Sequence, residues 1–169
     1  MSRQQTKKWF LYAAALLPLV LLEGFIFTRI DFMGSRPFLL PLAVSVVAIL
    51  EGVTAGAGYG LYVGLPAALL GHGSQGSFIF LLSLLGALLG FLFRSGMEQR
   101  FLSCLIASTG ALFALSLLRM GFHTIKDGAS FVSMFRITAP ELLWSLAFFP
   151  LVYGIYRMVS RRVAGPSFL

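Results

Sequence analysis

A chain of 169 residues that is 58% hydrophobic and 11% charged, with a mean hydropathy of +0.89, has too little polar surface to fold as a soluble domain. Its net charge of +7 lies at the ends of apolar runs and not in a patch interleaved with aromatics. Topology and anionic lipid are therefore the expected uses of that charge, and nucleic acid is not an expected partner. The single cysteine, Cys104, lies in an apolar run, which excludes an intrachain disulfide and a thiolate metal cluster and leaves a buried, inert thiol as the expectation.

The chain opens MSRQQTKK, with Arg3, Lys7 and Lys8 and no acid, before an apolar run from Trp9 to about Phe27. The charged start and apolar core resemble those of a signal peptide. No small-residue cleavage site follows and further apolar runs do, so 9–27 is read as an uncleaved first span. Glu23, near its far end, is expected to reach the interface, helped by Arg29. After the polar turn TRIDFMGSRP, the apolar run over 37–51 is short for a bilayer core that needs about 20 residues; a thinned bilayer or a half-buried helix would accommodate it. A tight turn is expected near Glu51, with its carboxylate close to the positive end of the next helix.

The third span, 52–71, reads GVTAGAGYGLYVGLPAALLG. Gly52, Gly56, Gly60 and Gly64 recur at intervals of four and so share one helix face. A glycine costs roughly 1 kcal/mol relative to alanine inside a helix. A regular ladder of them implies a side-chain-free face that another helix approaches closely, within the bundle or on a partner. Gly86 and Gly90 extend that expectation to the fourth span, 77–93. GHGSQGS between the two is a loop holding a lone His72. A fifth span is expected over 101–118. Residues 119–139 mix charged and apolar side chains and are expected to lie along the membrane surface or to form a lid. Pro140 and Glu141 open the last span, 140–158, and Arg157, Arg161 and Arg162 close the chain. Trp9, Tyr12, Trp144, Tyr153 and Tyr156 fall near span ends, as interface anchors do. Tyr59 and Tyr62 fall mid-helix, where packing or a pocket wall would use them.

The expected fold is all-α: a polytopic membrane helix bundle of about six transmembrane helices. Arg3, Lys7, Lys8, Arg94, Arg100, Arg157, Arg161 and Arg162 then share one side, and Arg29, Arg36, Arg119, Lys126 and Arg136 the other. The excess places both termini in the cytoplasm. A five-span reading would put the termini on opposite sides. No lysine follows the glycines to cradle phosphate, no HExxH or paired histidine is present, and Ser, His and Asp are scattered through loops. No catalysis, cofactor or metal is expected. Glu23, Glu51 and Glu141 fall near span ends, which argues against an ion pathway.

From Arg36 to Arg94 the order of features resembles the rod shape-determining protein MreD family. It comprises an Arg-Pro start, an apolar run, Gly-xxx-Gly steps, a Gly/Ser loop, and another glycine-bearing span ending in Arg. The ending ELLWSLAFFPLVYGIYRMVSRR is similar to that family's last helix and basic tail. The chain departs from the pattern at Phe38 and Ala68, where the family often has acids, so no role of those acids carries over. The resemblance implies a non-catalytic multi-pass subunit of the bacterial cell-elongation machinery in the cytoplasmic membrane. It implies binding to an MreC-like bitopic protein, and through it to MreB and the RodA/penicillin-binding-protein peptidoglycan synthase. A second resemblance, in size and small-residue faces, is to the substrate-binding S components of energy-coupling-factor vitamin transporters. That one implies an outer-side pocket, for which Glu23, Arg36, Tyr59, Tyr62, His72 and Arg136 are the candidate residues. The first-span AAALL is not the alternating small-residue motif by which that family docks its transmembrane partner.

Overall fold

The computed structural model describes residues 3–26, 29, 37–70, 77–93, 101–127 and 131–164, with the backbone alone at 3–6, 77, 119–120, 122–127, 131–137 and 162–164. The described residues are helical almost throughout. Helix α1 (Arg3–Leu21) passes into one π-helical turn, Leu22–Ile26. There follow α2 (Leu40–Glu51), α3 (Val53–Leu69), α4 (Ser77–Leu92), α5 (Phe101–Asp127), α6 (Phe131–Ala147) and α7 (Phe149–Ala164).

The molecule is arranged around α2. Its sequence, LPLAVSVVAILE, is apolar on every side until its last residue, so no face of it calls for water. Every residue from Leu40 to Ile49 is buried, against α1, α3, α4, α5 and α7. The short apolar run expected over 37–51 is, from Leu40 to Ile49, a helix covered by protein. Pro41 starts it, where a missing backbone donor costs nothing. Gly52 ends it, at φ +91°, a conformation that an L side chain rarely adopts. The chain then turns directly into α3.

Among the described residues, many large apolar side chains face outward. Phe10, Leu69 and Phe80 are 74%, 89% and 74% exposed, and Leu17, Phe25, Leu65, Leu84, Phe91, Leu102, Ile106 and Leu143 also face outward. Among the described residues the buried polar side chains are Glu23, Ser45, Ser108 and Ser145. Two helical stretches, Lys7–Ile26 and Phe101–Leu118, are long and apolar enough to cross a membrane. The pair Thr138–Ala147 and Phe149–Arg161 makes a third if a 45° bend is allowed within one span. Helices α2, α3 and α4 are shorter apolar helices.

Two boundaries differ from expectation. Residues 119–127 continue α5, and α6 begins at Phe131, so most of the surface or lid segment expected over 119–139 is helix contiguous with its neighbours. Pro140 lies inside α6 and does not open it. The expected last span, 140–158, is broken at Phe148. Pro150 accounts for the break: it has no N–H to offer the Leu146 carbonyl, and its ring crowds that carbonyl. The backbone recovers beyond it, where Leu151 and Val152 both donate to Phe148 O at 3.1 Å.

Candidate functional site: a glycine seam and the two polar ends of α2

The glycine ladder is an internal seam. A Cβ placed on Gly56 would stand 2.6 Å from both Ala48 Cβ and the Gly86 carbonyl oxygen. On Gly60 it would meet Leu82 O at 2.5 Å, on Gly64 Ile79 Cα at 2.8 Å, and on Gly90 Val53 Cα at 2.6 Å. On Gly86 it would overlap the Gly56 carbonyl. Helices α3 and α4 therefore run antiparallel with their backbones nearly touching, and α2 closes the contact through Ala48. The close approach lets Ser83 Oγ donate to the Ala57 carbonyl at 3.1 Å. Gly52 enters this face through its backbone alone, its carbonyl carbon 2.7 Å from where a Cβ on Gly90 would stand. It stands at the break between α2 and α3, with nothing within 4 Å of its added Cβ, and its requirement is conformational.

The C-terminal end of α2 carries the first polar cluster. Glu51 forms an ion pair with Lys8 of α1 and accepts a hydrogen bond from Tyr12 Oη at 2.6 Å. The carboxylate, expected near the start of the next helix, is bound to α1. Beneath it lie three buried tyrosines. Tyr12 stacks on Tyr156 at 6.1 Å, and Tyr59 meets each edge-on, at 6.1 and 5.9 Å. The Tyr59 and Tyr156 hydroxyls are 2.6 Å apart and hydrogen-bonded. Tyr12, Tyr153 and Tyr156 are therefore core residues and not interface anchors. The cluster ties α1, α2, α3 and α7 together at one end of the bundle, where the start of α1 and the end of α7 lie.

The second cluster holds the N-terminal end of α2, whose first backbone donors have no partner within the helix. Glu23, swung inward by the π-helical turn, accepts from Leu39 N and Leu40 N, each at 3.2 Å through Oε2. Ser145 of α6 accepts from Phe38 N at 2.9 Å and donates to the Glu141 carbonyl at 2.7 Å. Glu23 is 3% exposed, so the expected interfacial placement beside Arg29 is corrected: it caps a buried helix. Midway along α2, Ser45 Oγ is 2.9 Å from Leu42 O and 3.0 Å from Ser108 Oγ of α5, which satisfies both buried hydroxyls.

Among the candidate pocket residues that are described, Glu23, Tyr59 and Tyr62 do not converge on one cavity. Glu23 and Tyr59 belong to clusters at opposite ends of α2. Tyr62 is 49% exposed on the outer face of α3, with its ring 6.4 Å from Tyr59. Arg36 and His72 lie outside the described residues, and Arg136 is on α6 with only its backbone described. Among the described residues, no group of three His, Cys, Asp or Glu side chains is placed to hold a metal ion. The polar atoms are arranged to cap, pair and cross-link helices. In the comparisons with known proteins, no family model, no curated protein and no solved structure matches this chain.

Proposed function

We propose that this chain is a non-catalytic integral membrane subunit that scaffolds a bacterial cell-elongation complex, as its resemblance to the MreD family implies. The observation that carries the reading is the division of labour between inside and outside. The seam glycines, Glu23, Glu51 and the tyrosine triad are engaged in holding this chain's own helices, and what the described residues offer outward is a broad apolar surface. A partner with its own transmembrane helix would meet that surface. On this reading the helices make about six spans with both termini in the cytoplasm. The meeting of Lys8, Glu51, Tyr12 and Tyr156 at one end of the bundle supports both termini lying on the same side. The partner is an MreC-like bitopic protein, and MreB and the peptidoglycan synthase are reached through it.

Affinity purification of the tagged full chain from its native membrane tests the proposal. Recovery of a bitopic coiled-coil protein or a cell-wall synthase is expected. Recovery of ATPase subunits, or tight vitamin binding by the purified chain, would replace the scaffold with a transporter component.

A further inference from the structure

The outward face of α7 changes character along its length. Pro150 and Leu151 are exposed and apolar, Gly154 is exposed with open space beside it, and Arg157, Met158 and Arg161 are exposed at the far end. These positions follow one another at intervals of three and four and so lie on one stripe. Gly154, Arg157, Met158 and Arg161 line an open depression of about 350 Å³. From Leu151 to Arg161 the stripe is roughly 15 Å long at the helical rise. It thus runs from an apolar segment, through a gap left by a missing side chain, to a pair of guanidinium groups.

Arg157 is held in place. Its guanidinium lies over the Tyr153 ring, 5.4 Å from the centroid, and that ring packs against Phe101 at 5.2 Å and Phe149 at 5.8 Å. Phe101 is the first residue of α5, so the positive end of a helix lies on the same side. Two arginines one turn apart suit the oxygens of a phosphate better than lysines would, because each guanidinium offers paired donors. An ammonium with a carboxylate partner would be less free to bind. Lys8, at the same end of the bundle, is paired with Glu51.

We propose that the α7 face from Leu151 to Arg161 is a binding site for an anionic diacyl phospholipid. The phosphate lies between Arg157 and Arg161, and an acyl chain lies over Gly154 and Leu151. The inference rests on the chain being embedded in a membrane but not on its role in cell elongation. Charge complementarity selects the anionic headgroup. The apolar lead-in along the same stripe selects a lipid over a soluble anion.

The test is thermal unfolding of the delipidated full chain in mild detergent, titrated separately with phosphatidylglycerol, phosphatidylcholine and inorganic phosphate. Phosphatidylglycerol should raise Tm saturably, while the other two should not. The double substitution Arg157→Ala/Arg161→Ala should weaken the apparent phosphatidylglycerol affinity by about tenfold or more. Lys7→Ala removes an exposed charge from the same end and should leave that affinity within about twofold. Gly154→Leu fills the depression without altering charge and should also weaken binding, which decides the matter if the double variant does not fold. Equal stabilisation by phosphatidylcholine or phosphate overturns the proposal. So does unchanged affinity in Gly154→Leu, or an equal loss in Lys7→Ala.

Discussion

At the scale of single residues, glycines of the same type carry opposite expectations. Gly60→Ala would press a methyl group into the backbone of Leu82 and Ser83, neither of which is a flexible side-chain end. It should destabilise the protein by about 1–3 kcal/mol, as overpacking does. Gly110→Ala meets nothing within 4 Å and should be neutral or stabilising by up to about 1 kcal/mol, since alanine is the better helix former. Denaturant titration of the two variants in detergent checks the contrast; similar effects would mean that the seam does not exist. The tyrosines make a second test. Tyr156→Phe leaves the buried Tyr59 hydroxyl with only a 3.5 Å contact to the Tyr12 carbonyl, and should cost about 1–3 kcal/mol. Adding Tyr59→Phe removes both polar partners and should recover much of the loss, as a double-mutant cycle would read.

At the scale of elements, α2 and the α6–α7 break are the informative pieces. Because α2 is capped from outside itself, Glu23→Ala should act on a helix many residues away, costing about 1–3 kcal/mol and raising hydrogen exchange at Leu39 and Leu40. Protection unchanged at those two amides would show that the cap does not hold α2. Pro150→Ala restores the donor missing at the break. It should reduce the 45° bend, seen as a longer distance between spin labels at Ala139 and Met158; an unchanged distance would assign the bend to packing. Buried Cys104 leaves such labelling selective.

At the scale of the whole molecule, the apolar exterior and the polar clusters within it are what lipid exposure demands. A green fluorescent protein fused after Leu169 should fluoresce and an alkaline phosphatase fused there should be inactive, if both termini are cytoplasmic. The reverse pattern would exclude that topology. The helical class and the glycine faces were legible because period and composition are local properties. Gly56, Gly60 and Gly64 announce a close contact by spacing alone, although spacing does not say that α4 of the same chain supplies it. The burial of α2 was also within reach: a short run apolar on every side, PFLLPLAVSVVAIL, is the mark of a covered helix. Pro150 marked the break in the last span in the same way. Glu23 and the tyrosine triad were not legible. Tyr12, Tyr59 and Tyr156 are far apart in sequence, and a tyrosine near a span end reads alike whether it meets headgroups or another tyrosine. Their roles exist only after the helices have been brought together.

The complete covering of α2 also has a consequence for biogenesis. The ribosome delivers α2 early, while α5 and α7, which cover part of it, come much later. During synthesis α2 must therefore be kept by the insertion machinery, or rest provisionally against α1, α3 and α4, until α7 arrives. A nascent chain stalled before Phe149 would retain an uncovered flank and be a substrate for membrane quality control. The bundle around α2 is in this sense closed by α7, and truncation before it should shorten the protein's cellular half-life far more than the few lost contacts would suggest.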